Sequence, residues 1–164
     1  MVTLKPISFQ HFNQIIDIYA QGIATGIATF QNSANSEWSE WDKSHLQNCR
    51  IGAFEENVML GWAALTPVSN RCVYEGVAEV SIYIASLYCG KGIGKMILSE
   101  IIIESEKNGI WTLQSGIFSE NISSIQLHEK CGFRQVGYRE KIGKKDGIWK
   151  DNIIMERRSN IIGI

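Results

Sequence analysis

The residues best placed for chemistry lie in one stretch, Val80 to Asn108, which reads VSIYIASLYCGKGIGKMILSEIIIESEKN. Val80, Ile82 and Ile84 alternate as in a strand. They lead into a glycine-rich turn, Cys89-Gly90-Lys91-Gly92-Ile93-Gly94-Lys95, and a strongly apolar helix-like segment follows at once. A turn with so few side chains lets backbone N–H groups converge on an anion, and the helix start adds a partial positive charge. That charge favours an anion by roughly 0.3–1 kcal/mol when exposed and up to about 2 kcal/mol when partly buried. Lys91 and Lys95 add mobile charge. The turn is therefore a phosphate or pyrophosphate cradle, or else a close-packed strand-to-helix connection.

Two nucleotide motifs can be tested on these residues. The NTPase phosphate loop needs Gly-Lys followed by Ser or Thr, and here Gly94-Lys95 is followed by Met96. The dinucleotide fingerprint needs a third glycine where Lys95 stands. Neither ATP with magnesium nor NAD fits. A second candidate for chemistry is Glu79, a carboxylate at the start of the apolar run on what should be a central strand. Phe30 is either a ligand contact or a buried loop anchor. Trp38, Trp41 and His45 fall on one helix face, a spacing that more often marks core, so His45 reads as structural or solvated.

The rest of the chain must hold these groups in place. Its 164 residues suit one domain, 1–164, able to bury roughly 70% of the unfolded surface without a disulfide staple. Net charge is −1, which argues against a nucleic-acid surface. The four cysteines, Cys49, Cys72, Cys89 and Cys131, form no CxxC pair and have no zinc-like spacing, so reduced thiols in the cytoplasm are expected and no metal. The N-terminal stretch lacks an apolar signal core, and no apolar run approaches the about 20 residues of a membrane span.

Periodicity predicts strands over 2–7, 50–55, 58–66, 72–85, 110–117, 133–141 and 148–157. It predicts helices over 9–21, from Ser36 to near Cys49, over 92–108 and over 121–131. Glu75 and Glu79 would share one face of the long fourth strand. Gly61 signals a bulge or a close backbone approach. Lys144 to Gly147 reads as a turn, and the tail 159–164 as frayed. The order β-α-α-β-β-β-α-β-α-β-β describes an α/β sandwich with a mixed sheet, not a doubly wound nucleotide fold.

With these residues in hand, the sequence resembles the GNAT superfamily of N-acetyltransferases. Its acetyl-CoA signature is Gln/Arg-x-x-Gly-x-Gly/Ala after a central strand, and Cys89 to Gly94 fits except that Cys89 replaces Gln or Arg. A second signature, Asn-x-x-Ser/Ala-x-x-Leu-Tyr/His-x-x-x-Gly-Phe, matches Asn121 to Phe133, with Ser124, Leu127 and His128 in place. Thr29-Phe30, Arg71, Tyr74, Glu79 to Ile84, His128 and Gly147 to Asp151 look like the phosphinothricin and methionine sulfone or sulfoximine acetyltransferase branch. The resemblance spans nearly the whole chain.

It implies an α/β/α sandwich whose mostly antiparallel sheet is splayed at the acetyl-CoA site. It implies that Gly90, Lys91, Gly92, Ile93, Gly94 and Lys95 hold the CoA pyrophosphate, and that the backbones of Ile82, Tyr83 and Ile84 meet the acetyl-pantetheine arm. Asn121 would bond that arm, with Ser124 and Lys130 of the same helix beside the cofactor. Glu79 would be the base that deprotonates the acceptor amine, directly or through a water, or else only an ion-pair partner. His128 would protonate the leaving thiolate or be a buried hydrogen-bond partner. Phe30, Arg71, Tyr74 and Glu79 would bind a small amino acid or analogue, and the assembly would be a homodimer. The alternatives are acetylation of a protein N-terminus, a polyamine or another amine, and a non-catalytic acyl-CoA sensor.

Overall fold

The computed structural model describes residues 1–164. β1 (Val2–Pro6), β2 (Arg50–Glu55), β3 (Val58–Pro67), β4 (Val77–Ile84), β5 (Thr112–Phe118), β6 (Arg134–Lys145) and β7 (Ile148–Arg158) form one seven-stranded sheet. Their spatial order is β1-β2-β3-β4-β5-β7-β6. All neighbours are antiparallel except β4 and β5. A parallel pair needs a crossover, and α3 (Ile93–Lys107) supplies it.

The remaining helices are α1 (Phe12–Ala24), α2 (Trp38–Ser44) and α4 (Ile122–Lys130). They divide between the two faces of the sheet. Ile93, Ile97, Leu98 and Ile101 of α3 and Ile125 of α4 bury against Ala78 and Val80 of β4 and Leu113 and Ile117 of β5. On the other face, Phe12, Ile15 and Ile18 of α1 and Trp41 of α2 cover Trp62 and Ala64 of β3. The alternation of β4 follows from this. Ala78, Val80, Ile82 and Ile84 look toward α3, while Glu79, Ser81 and Tyr83 look the other way.

Several boundaries differ from the sequence expectation. The fourth strand starts at Val77, not Cys72, and Cys72–Tyr74 is a short 3-10 turn. Glu75 therefore lies outside the strand and does not share a strand face with Glu79. The cause is Gly76. The Trp111 ring packs so closely over it that a side chain there would overlap the ring, and its carbonyl accepts from the Trp111 and Thr112 amides. The helix expected from Ser36 to near Cys49 covers only Trp38–Ser44. Beyond it, the Leu46 amide donates to Leu65 O on β3, and the Arg50 guanidinium takes the carbonyls of Asp42, His45 and Leu46.

The first helix runs past Gln21 to Ala24. Gly22 serves packing there, because a Cβ would stand 2.7 Å from the Tyr83 ring. β6 continues to Lys145, and the hairpin turn shrinks to Asp146-Gly147, both at positive φ. That geometry matches a two-residue hairpin turn. Gly61 is both features that were expected. It pairs with Ile84 at close range and adjoins a bulge between β2 and β3. In the tail, where fraying was expected, Arg158 donates to the carbonyls of Trp111, Ile162 and Gly163, and the Ser159 hydroxyl accepts from the Ile161 and Ile162 amides.

The feature that matters most is where β4 and β5 part. Their pairing is Val77 with Thr112, Ala78 with Leu113 and Glu79 with Gln114, and it stops there, although β4 runs on to Ile84 and β5 to Phe118. On its other side β4 stays paired with β3 throughout. Val77 O accepts from the Val68 amide, and the Ala85 amide donates to Leu60 O. The odd-numbered residues thus turn their backbone groups toward β3. By antiparallel alternation, the N–H and C=O groups of Ile82 and Ile84 point into the open gap toward β5.

Candidate active site

The gap leads to the glycine turn. Gly90 and Gly92 have φ of +75° and +83°, and no atom lies within 4 Å of where a Cβ would be at either. Their backbone conformation suits glycine, and the concavity they form is open. α3 starts at Ile93, and its first intrahelical bond runs from the Met96 amide to Gly92 O. The N–H groups of Ile93, Gly94 and Lys95 are left free for a ligand. Gly94 lets α4 come close, since a Cβ there would stand 3.0 Å from Leu127 Cδ2. Lys91 and Lys95 are exposed at the turn, and Lys130 is exposed at the end of α4. The Cys89 thiol points away from the cradle, its Sγ directed at the carbonyls of Ile84 and Ala85 at 3.8 and 3.7 Å.

On the far wall of the gap, Asn121 caps α4 by accepting from the Ser124 amide at 3.3 Å, and its Nδ2 donates to Ile27 O. The cap thus also tethers the α1–α2 loop. His128 is buried, with Nδ1 2.7 Å from Ser124 O. Only a donor can satisfy a carbonyl, so Nδ1 carries the proton and Nε2 is the bare acceptor. Nε2 is buried with no partner in the protein. Burial lowers the His128 pKa, outweighing the bond to Ser124, so the ring is neutral near neutral pH.

The face of β4 opposite α3 carries Glu79. Its carboxylate is exposed, joins none of the salt bridges of the fold, and accepts a hydrogen bond from Gln114 Nε2 at 3.4 Å. Glu79 and Gln114 are the last paired residues before the strands part. The carboxylate therefore stands at the root of the gap, free of any cation. Gly116 and Phe118 continue that face along β5, and Phe30 packs edge-on against Phe118 with ring centroids 4.5 Å apart. The loop bearing Phe30 is pinned from below. Buried Lys145 donates to Gln31 O and Asn32 Oδ1, both at 2.6 Å. Phe30 is thus a loop anchor whose ring walls the Glu79 face.

Arg71 and Tyr74 lie on the exposed turn between β3 and β4, the guanidinium 5.5 Å from the Tyr74 ring centroid. They stand at the Glu79 end of β4. Trp149 and Asp151 serve the β6–β7 hairpin, where Asp151 accepts from the Tyr138 hydroxyl and the Lys141 amide. Beyond Glu79 on the same face of β4, toward β3, a cavity of about 550 Å³ opens, walled by Tyr19, Gln31, Trp41, Trp62, Ser81 and Tyr83 among others. His45 stacks on Trp41, its Nδ1 sits 2.7 Å from Trp41 O, and burial lowers its pKa. None of Phe30, Arg71, Tyr74 and Glu79 lines this cavity.

The sequence reading missed Gln114 and Asn152. Asn152 lies across β5, its amide against Gly116 and its Oδ1 buried without a partner. The available signal was Gly116, a glycine inside a strand, which marks a close approach.

A helix start with free N–H groups, a strand edge with free donors and a carboxylate where that edge opens fit an acyl-CoA-dependent acyltransferase. Residues 13–133 match the model of the Acetyltransferase (GNAT) family, and the chain belongs to that family. It is 30% identical to phosphinothricin N-acetyltransferase of Alcaligenes faecalis over 169 aligned positions, covering 96% of this chain and 83% of the relative. It is 31% identical to the L-methionine sulfoximine/L-methionine sulfone acetyltransferase of Salmonella typhimurium over 102 positions, covering 62% of this chain and 60% of the relative. The crystal structure of a GNAT superfamily phosphinothricin acetyltransferase from Sinorhizobium meliloti in complex with acetyl-CoA superposes with a TM-score of 0.86 at 28% identity, covering 96% of this chain and 88% of that one. The chain is an acyltransferase with acetyl-CoA as its acyl donor. The open glycine turn and the outward N–H groups of Ile82 and Ile84 fit that donor. Tyr83 differs from the expected trio, since its backbone groups are turned toward β3. No helix is long and apolar enough to cross a membrane, and no cluster of three or more His, Cys, Asp or Glu could hold a metal.

Proposed function

We propose that this chain acetylates the α-amino group of a small amino acid or analogue of the phosphinothricin, methionine sulfone or methionine sulfoximine type. The observation that carries this reading is Glu79, unpaired with any cation, at the last paired step before β4 and β5 part. The names of the relatives support the same acceptor class. Acetyl-CoA supplies an activated acyl group on a sulfur leaving group.

Glu79 takes one proton from the incoming ammonium, directly or through a water, and passes it to solvent. The N–H groups of Ile82 and Ile84 are aimed where the thioester oxygen gains charge, the arrangement of an oxyanion hole. The freed amine forms the C–N bond as the C–S bond breaks, and its remaining surplus proton neutralises the departing thiolate. Gly90 to Lys95 hold the pyrophosphate, while Asn121 bonds the pantetheine arm and Ser124 and Lys130 lie beside the cofactor. The bare Nε2 of neutral His128 favours accepting a hydrogen bond from the ligand over donating a proton. Arg71, with Tyr74, takes the acceptor carboxylate, a pairing suited to the two parallel donors of a guanidinium. Phe30 closes the side of the pocket.

The same reading places the enzyme in the cytoplasm, consistent with four free cysteines. It also takes the enzyme as a homodimer, consistent with the exposed apolar residues Val136, Tyr138, Ile142, Ile148 and Trp149 on β6 and β7. Thiol release from acetyl-CoA with a panel of amines tests the acceptor class. Methionine sulfone, methionine sulfoximine or phosphinothricin should each turn over at least about tenfold more efficiently than spermidine or a short peptide, a gap of about 1.4 kcal/mol. A response to the peptide alone would contradict the reading.

A further inference from the structure

Two buried side-chain polar atoms in this fold have no hydrogen-bond partner, His128 Nε2 and Asn152 Oδ1. Buried polar groups are nearly always paired, so each exception asks for a cause. His128 belongs to the gap already described. Asn152 does not.

Asn152 lies on β7 in register with Phe118 of β5. Phe118 shares its face with Gln114 and Gly116, and that face carries the Glu79–Gln114 contact and the Phe30 ring. The Asn152 amide lies flat against Gly116. A methyl group on Gly116 would stand 3.2 Å from Oδ1 and 3.3 Å from Nδ2. Gly116 thus creates the space that the amide occupies. Gly116 is two residues along β5 from Gln114, about 7 Å away at strand spacing. That is the reach of an amino-acid side chain whose amine rests at Glu79.

Neither end of the Asn152 amide is bonded to the protein. It can therefore turn about χ2 and present either a donor or an acceptor without losing a hydrogen bond. Phe118, in register beside it on β5, is apolar and offers it nothing, and Arg139, opposite it on β6, makes no hydrogen bond to it. We propose that Asn152, seated on Gly116, is a specificity-determining contact that hydrogen-bonds a polar group near the end of the acceptor's side chain. The inference rests on the acceptor class argued above and deepens it. The acceptors selected are amino acids with a sulfone, sulfoximine, phosphinyl or carboxamide group there, over apolar chains of similar length. A site with an amide awaiting a partner discriminates strongly against a ligand that leaves it unpaired.

The test is kcat/KM for methionine sulfone and for norleucine, measured on the wild type, Asn152→Leu and Gly116→Ala. The wild type should prefer the sulfone by about 10-fold to 100-fold, the range that one missing hydrogen-bond partner produces. Asn152→Leu should cut that ratio about tenfold, with turnover of norleucine retained or improved. Gly116→Ala displaces the amide without removing it and should lower the ratio in the same direction. An active wild type whose ratio is unchanged in both variants overturns the role of Asn152 alone. A wild type that acetylates no amino acid overturns this inference together with the acceptor class beneath it.

Discussion

Glu79→Gln should lower kcat/KM by about 10²–10³-fold near neutral pH and leave acetyl-CoA affinity unchanged, an effect of the size a positioned base contributes. The acceptor arrives mostly as ammonium, because amine pKa values lie near or above neutrality. Each pKa unit above ambient pH costs about 1.4 kcal/mol to deprotonate. The glutamine side chain keeps the size and the contact with Gln114 but cannot take the proton. The deficit should therefore shrink as pH rises toward the pKa of the amine, where the acceptor loses its proton unaided. A rate–pH profile for the variant parallel to that of the wild type would remove Glu79 from proton transfer and leave it as a positioning group. Glu79 lies on the face opposite α3, so its replacement leaves the core that builds the cradle untouched.

Gly92→Val should weaken acetyl-CoA binding by at least about tenfold while the fold persists. Gly92 precedes α3 at φ +83°, where a β-branched residue is strained. A left-handed conformation costs an L-residue roughly 1–2 kcal/mol. The chain can relieve that strain only by turning the residue, and turning it moves the N–H groups of Ile93 to Lys95 that face the anion. Calorimetric titration with CoA reads the loss, and circular dichroism checks the fold. Cys89→Ala is the control. The thiol points back toward the Ile84 and Ala85 carbonyls, so its loss should change affinity less than about threefold, under 1 kcal/mol. The departure from Gln or Arg at this position then removes a side-chain contact without disabling the backbone cradle.

The parts of the site that were legible in the sequence are those written in local patterns. The glycine turn, the alternation from Val80 to Ile84 and the Asn121 to Phe133 motif are each contiguous, and their meaning survives without knowledge of what packs nearby. Misjudged boundaries share one physical origin, which is distance along the chain. The start of β4 depends on Trp111 lying over Gly76. The end of α2 depends on Leu65 and Arg50. The last turn of α1 depends on the Tyr83 ring, which occupies the space a side chain at Gly22 would fill. The helix expected to end at Gln21 runs on through Gly22, where tertiary packing overrides the low helix propensity of glycine. Asn152 is the clearest case in the site itself. Nothing in the run Ile148 to Arg158 marks it out, and its amide becomes notable only when β7 lies beside Gly116. The parting of β4 and β5 after Glu79 and Gln114 is likewise invisible in either strand alone.

The mechanism turns on that parting, because it is what frees donors for the acyl group beside a carboxylate that can deprotonate the amine. The most direct measurement is backbone-amide NMR of β4 on titration with acetyl-CoA. The amide resonances of Ile82 and Ile84 should shift strongly and become protected from hydrogen exchange, while those of Ser81 and Tyr83, already bonded to β3, should move little. Binding with Ile82 and Ile84 unperturbed, or with Ser81 and Tyr83 moving equally, would contradict the assignment of the gap as the acyl-transfer site.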